Sequence, residues 1–471
     1  MATRQYIGAR YVTKIYENSL DPSSAEWEAG VNYEPLTMVT YNNGSYLSKK
    51  EVAASIGDPA SNPSYWTQTG FYNGQIAHLQ DQIDDINSYL QSIIVTPEMF
   101  GAVGDNVADD TQAVQDALDS GAEIILFANK YKVGELTISN PVSLIGLGGN
   151  RTISGLWFSG DETEDLFTLS TNQVFFSNLS LTGNRSAEQN AWFHGAGARC
   201  IVNTSMEDVD LVIEGCTFNW FREIVYCSGR GVVIRNCNIS QIVNLVDVAF
   251  VDTDDNTEWF RATVYQARRY VIENNIVHYM MYGGYLFTYD TVSEVSAGVK
   301  VPCLGLTIEG NYIDVGQRYA HIYADCYGAN ISNNTSVAIY TGAFQFMRCE
   351  KTIYDSIFAN NVVWFDDVSD QASYACDSLL IASVGMKNVI VKGNNIHAYV
   401  SNLFIRCGSG VISRCILTEN VCGNMTGDFL NSSKFEYSLI KNNLYTGTMH
   451  NATDWTNHNN ICDDNILNDY S

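Results

Sequence analysis

Positive charge and proline are what this chain has least of. Against 52 Asp and Glu stand only 26 Lys and Arg, a formal charge of −26 over 471 residues, and there are only 7 Pro. Such an acidic excess excludes broad nucleic-acid binding, because no surplus of cations exists to displace phosphate counterions. No apolar run reaches the roughly 18 residues of a membrane-spanning helix, so no membrane insertion is expected. Met1-Ala2-Thr3-Arg4-Gln5 leads into no apolar core, so no signal peptide is expected either. Cysteine is missing before Cys200, and the 12 present show no CxxC spacing. They read as small buried hydrophobes, without disulfides or a metal site. What is plentiful is apolar surface, at 46% against 17% charged, which excludes disorder. Asparagine is in excess, with 44 residues.

Three zones follow one another. Residues 1–72 are aromatic and turn-rich, and Met38 to Leu47 alternates around an Asn43-Gly44 pair, a strong hairpin signal. From Trp27 to Trp66 this zone resembles the small chitin-binding-type β module. Similar modules occur near the N-termini of appendage proteins in phages of Gram-positive hosts. That resemblance implies sugar stacking on Trp27, Tyr46 or Trp66, or attachment to a virion; the same aromatics could equally make up a minimal core.

Residues 73–96 carry Ile76, Leu79, Ile83, Ile86, Leu90 and Ile93 at spacings of 3, 4, 3, 4 and 3. This is an a/d seam of about two and a half heptads, and isoleucine-rich layers favour trimers or tetramers over dimers. A trimeric coiled-coil linker, hence a homotrimer, is expected.

Residues 97–471 are repetitive. A hydrophobic residue, two others, Asn, one other and usually a hydrophobic recur as Ile308-Glu309-Gly310-Asn311-Tyr312-Ile313 and Val391-Lys392-Gly393-Asn394-Asn395-Ile396. Looser copies centre on Asn178, Asn275, Asn334, Asn361, Asn420, Asn443 and Asn465, with Cys216 and Cys237 in the Asn place of two more. A base period of 21 to 27 residues, with insertions, is the mark of a solenoid. The short β-branched runs make its units strands. An inward Asn at each corner can bond the turn backbone and the next Asn in the stack.

Ahead of the first coil stands Phe100-Gly101-Ala102-Val103-Gly104-Asp105-Asn106-Val107-Ala108-Asp109-Asp110-Thr111-Gln112-Ala113-Val114-Gln115-Asp116-Ala117. It closely resembles the entry motif of the pectate-lyase-like superfamily, found in many phage tailspikes. Asn106 departs from it, since glycine is common there. Asp109 is expected to cap a short helix with Gln112 in the box position, while Ala113, Val114 and Ala117 cover the open end of the coil. The resemblance implies a mainly β chain folded as a right-handed parallel β-helix, commonly trimeric. It also implies a tailspike in the virion, fixed to the phage tail or baseplate through its N-terminal region.

About ten residues after each ladder position comes another strand. Period-two alternation would send Ile322 and Leu286 inward. Tyr226, Asp247, Tyr285, Phe287, Tyr289, His321, Tyr323, Asp325, Phe344, Phe346, Arg348 and Arg406 would then face outward as an aromatic and charged stripe. Such stripes mark interaction surfaces, for sugar rings or for a neighbouring subunit. Glycoside hydrolysis needs two carboxyls roughly 5–10 Å apart. Coils about 4.8 Å apart would bring Asp247 and Asp325 into that range, with Asp252, Asp254, Asp255 or Glu258 from a neighbouring insertion completing the site. A second insertion carries Asp366, Asp367 and Asp370. His321 and Arg348 would orient substrate. No cofactor is needed for hydrolysis, whereas a β-eliminating lyase would use calcium or Arg beside a uronate.

The expected function is a tailspike that binds and depolymerises a bacterial surface polysaccharide. The alternative is a non-catalytic receptor-binding fibre gripping the same glycan.

Overall fold

The computed structural model describes residues 14–21, 24–70, 72–148, 154–161, 163–171, 173–184, 197–203, 208–227, 230–250, 270–280, 285–291, 302–314, 318–337, 345–364, 376–407, 410–425, 429–432, 434–445, 461–463 and 465–467. Two units divide the chain, Met1–Gln91 and Ser92–Ser471.

In the first unit the strands Lys14–Ile15, Thr37–Tyr41, Gly44–Ser48 and Trp66–Gly70 form one sheet in that order. The expected hairpin is present, with Met38 opposite Leu47 and Val39 opposite Tyr46, but its turn falls on Asn42-Asn43, one residue before the expected Asn43-Gly44. Asn42 and Asn43 both take positive φ, 45° and 64°, as a tight primed turn requires. Tyr33, Val39, Tyr46, Val52 and Trp66 are buried together beneath it. Two expected sugar contacts are therefore corrected: Tyr46 and Trp66 are core residues, and Trp66 is only 1% exposed. A module this small has few large apolar groups and must bury them to fold. Trp27 is half-buried, edge-on to Tyr41 at 5.3 Å.

The helix Tyr72–Ile93 (α1) occupies the heptad segment. Ile83, Ile86 and Leu90 are 50%, 58% and 50% exposed, so a single chain leaves this part of the seam uncovered.

The second unit is a parallel β-helix. Its entry motif ends in the helix Thr111–Asp119 (α2), whose Val114 and Ala117 are fully buried over the end of the coil. The capping differs from expectation. Asp109 accepts the Thr111 N–H at 3.0 Å, Asp110 turns back to accept the Val103 and Gly104 N–H groups, and Gln112 bonds Asp116. The motif's acids thus pin the glycine loop and the helix start to each other.

Strands of successive coils pair in parallel, giving sheets of 14, 24 and 6 strands among the described residues. One inward row shows how the coils stack. Ile234, Ile272, Ile308, Ile331, Phe358, Val391, Leu417 and Ile440 lie in register and are at most 2% exposed. Full burial of each such side chain is worth about 1.5–3 kcal/mol. The ten described cysteines are buried and unbridged.

The asparagine ladder runs Asn275, Asn311, Asn334, Asn361, Asn394, Asn420, Asn443 and Asn465. Each amide oxygen accepts both the backbone N–H and the Nδ2 of the preceding Asn, at 2.9–3.1 Å. Cys237 precedes them, its N–H donating to Asn275. Asn178 is not a member; the next residue, Leu179, is the buried one there. Asn178 belongs instead to an outer row of left-handed residues, with Asn236, Asn274, Asn333, Asn360 and Asn442 at φ of 54–57° and glycine at 310 and 393. The turn needs positive φ followed by an inward amide, and asparagine meets both demands. Fourteen of the 44 asparagines therefore stand in two adjacent columns.

Candidate functional site

The strands Glu223–Cys227, Asn244–Phe250, Tyr285–Thr291, Arg318–Ile322 and Gln345–Cys349 stack as neighbours in the 24-stranded sheet. Their alternation is broken once. Ile224 and Val225 are both buried, as are Leu245 and Val246, Leu286 and Phe287, Tyr319 and Ala320, and Phe346 and Met347. Two consecutive inward residues mark a bend, which shifts the outward phase by one. Two outer rows flank it.

The first row carries Asp165, Arg199, Glu223 and Asn244 in register, and Tyr285, Arg318 and Gln345 farther along. The second carries Val202, Tyr226, Asp247, Thr288, His321, Arg348, Ile381 and Arg406. Tyr226, Asp247, His321, Arg348 and Arg406 thus share a row, and Tyr285 stands in the neighbouring one.

The bend corrects three expected substrate contacts. Phe287, Tyr289 and Phe346 point into the coil and are at most 2% exposed. Tyr289 donates its hydroxyl to the Pro302 carbonyl at 3.1 Å, and Phe346 packs on Tyr319 at 5.7 Å. Asp325 is also displaced from the row. It lies around the next turn, where its carboxylate accepts the Thr352 N–H at 2.9 Å and its carbonyl accepts the Cys303 N–H. His321 holds the place two coils from Asp247 where a second acid was expected. Asp252, Asp254, Asp255, Glu258, Phe344 and the 366–370 acids lie outside the described residues.

A different acid accompanies Asp247. Glu223, at the head of its strand, is 7% exposed. Burial pushes its carboxyl above the ordinary value; Arg222, at 3.2 Å, pulls it down and the charge of Asp247 pushes it up again. Asp247, one coil on, accepts the Thr288 hydroxyl at 2.5 Å. Tyr226 is raised by burial and then by Asp247. Arg199 grips Asp165 through two bonds of 2.7 and 2.8 Å and lies over the Tyr226 ring at 4.4 Å. Glu223, Asp247, Tyr226 and Arg199 therefore form one cluster across the bend. Sequence patterning missed Glu223 because it opens a strand as the last residue before the bend. Its register with Asp165 and Arg199 was the available signal.

Farther along, Arg318 donates to the Tyr285 hydroxyl and lies over its ring at 5.0 Å. His321 stacks between Tyr285 and Tyr323, at 5.4 and 4.1 Å. Burial holds the imidazole below its ordinary value against the pull of Glu350, which it contacts at 3.2 Å. Burial would raise Glu350, but the bonds from His321, Arg348 and Ser383 outweigh it and leave the carboxyl lowered. This end of the face offers aromatic edges and a held carboxylate, with a mostly neutral imidazole between them.

No family model matches the chain. A 117-residue stretch is 40% identical to a capsule-specific depolymerase of Klebsiella phage K64-1, covering 24% of this chain and 13% of that protein. A 198-residue stretch is 33% identical to mannuronan C5-epimerase AlgE1 of Azotobacter vinelandii, covering 38% of this chain and 13% of the epimerase. The chain thus spans only 13% of the length of either relative. Among solved structures, pre-mature gene product 12 of bacteriophage phi29 is similar over 79% of this chain and 55% of that one, at 12% identity and a TM-score of 0.48. The Dettilon tailspike protein is similar over 80% and 69%, at 13% identity and a TM-score of 0.41.

Proposed function

We propose that this chain is a phage tailspike that binds a bacterial surface polysaccharide and cleaves it by glycoside hydrolysis on the outer face around Glu223 and Asp247. The observation that carries this reading is the pair itself. A nearly buried carboxyl with raised proton affinity stands one coil from a second carboxyl fixed by a hydroxyl, on a face lined by Tyr226 and Tyr285. Two carboxyls whose environments separate their roles are what acid-assisted hydrolysis needs. Both curated relatives carry names of polysaccharide-acting proteins, which supports the substrate class.

In this mechanism Glu223, which burial makes hold its proton more tightly than an ordinary carboxyl, delivers that proton to the glycosidic oxygen as the bond breaks. Asp247 supplies the negative charge facing the developing positive charge at the anomeric carbon, to which a water then adds, its proton returning to Glu223. Tyr226 and Tyr285 present ring edges to the sugar, and Arg199 keeps the Tyr226 ring in place. The reaction uses no cofactor, whereas an eliminating route would call on calcium.

The remaining parts follow the same reading. Three chains assemble through the seam of α1, whose Ile83, Ile86 and Leu90 otherwise stay in water. The N-terminal module joins the spike to the phage tail or baseplate, placing the protein on the virion. The coil is right-handed, because parallel crossover connections are so in about 98% of cases. The experiment is incubation with purified bacterial capsular polysaccharides followed by reducing-end and ultraviolet assays. New reducing ends without the absorbance of an unsaturated uronate support hydrolysis. Binding without new ends would instead identify a receptor-binding fibre.

A further inference from the structure

We propose that the outer face near the N-terminal end of the β-helix carries a second glycan subsite, built on Trp157 and Asn106, that takes a single pyranose ring. It rests on the reading that this chain handles polysaccharide, but it shares no residue with the Glu223 face.

In the strand Gly155–Phe158 the other three residues are buried, whereas Trp157 is 42% exposed. It lies in register between Lys132 and Thr182, at the side of a cavity of about 250 Å³ lined also by Asn106, Lys130, Gly155 and Ser180. The floor is bare backbone by necessity. A Cβ on Gly155 would stand 1.8 Å from the Ser180 carbonyl oxygen, so position 155 itself carries no side chain toward the neighbouring coil. The volume lies below the roughly 300 Å³ at which drug-sized ligand pockets begin, which suits one ring and not an oligosaccharide.

Asn106 supplies the second observation. Its φ of 62° is left-handed, and glycine, common at this point of the entry motif, would adopt it without strain. Asparagine tolerates the conformation and adds an amide. Asn106 lines the cavity, and its Oδ1 is buried beside it with no hydrogen-bond partner. A buried acceptor without a donor costs about 1–3 kcal/mol, and a sugar hydroxyl removes that cost. The apolar C–H face of the ring lies on the indole, which otherwise spends its large contact area on water. Lys130, exposed at the rim, reaches ring substituents.

Saturation-transfer NMR on the full chain tests this, with the methyl glycosides of glucose, galactose, mannose, rhamnose and N-acetylglucosamine as probes. At least one probe binds the wild type. Trp157→Ala and Asn106→Gly each weaken it by about tenfold or more, as loss of a ring stack or of a buried bond implies. Trp157→Phe retains most of the binding. Circular dichroism confirms that each variant is folded. Failure of all five probes, or binding that survives both Trp157→Ala and Asn106→Gly, overturns the subsite. Neither result touches the reducing-end assay, which judges the Glu223 face separately.

Discussion

Asp247 raises the proton affinity of Glu223 across one coil of the β-helix, although the two belong to different outer rows. The bend between the rows makes this possible. It turns two consecutive side chains inward and leaves the acids on either side of a single ridge.

The first prediction concerns which acids matter. Asp247→Asn lowers cleavage by about 10²–10⁴-fold, the usual worth of a positioned acid or base. Asp325→Asn leaves cleavage within about twofold, because its carboxylate serves the Thr352 backbone around the next turn. Initial rates of reducing-end release compare the two.

The pH dependence follows from Glu223. Its carboxyl is raised by burial and then by Asp247, so the acid form that donates a proton is lost as pH rises through that raised value, and cleavage declines with it. Stability has the same sign. A group whose folded pKa exceeds its unfolded one contributes stability below the unfolded value, about 4.3 for Glu, and loses it as pH climbs through the folded one. Glu223→Gln, which never ionises, is therefore expected to gain in melting temperature relative to the wild type as pH rises from the ordinary Glu value of about 4.3 into the mildly alkaline range. Calorimetry across that range checks it.

The ladder gives a stability prediction. Asn361→Ala removes an oxygen that accepts two bonds from Asn334 and an amide that serves Ile331 and Asn394. Each buried group left unpaired costs about 1–3 kcal/mol. Urea unfolding should show a loss toward the upper end of that range, whereas Asn333→Ala, in the exposed turn row, should cost clearly less.

The legibility of the chain divides along the same line. The solenoid was readable because the Asn pattern is local: one corner geometry repeated at a fixed period. The hairpin was readable because Asn42-Asn43-Gly44 marks a turn in its own sequence, although the turn itself takes Asn42-Asn43. The outer face was only half readable. Strict alternation assigns Phe287, Tyr289 and Phe346 outward, and nothing in their residue types announces that positions two and three of each strand both turn inward. Aromatic residues fit either side, so register alone decides. The clearest check is a contrast: Phe287→Ala costs about 3–5 kcal/mol as a core deletion, whereas Tyr226→Ala leaves stability nearly unchanged and weakens glycan binding. Thermal melts paired with polysaccharide binding separate the two.

Assembly is tested by the seam. With Ile83, Ile86 and Leu90 changed together to Asn, light scattering should fall from about three times the 52.2 kDa chain mass to one. The far-ultraviolet spectrum of the β-helix should persist.

The most direct test of the account is reducing-end release from a cleavable capsular polysaccharide by the wild type and by Glu223→Gln. The account predicts steady release by the wild type and a fall of about 10²–10⁴-fold in the variant, with the bound glycan retained. Undiminished release by Glu223→Gln would contradict it.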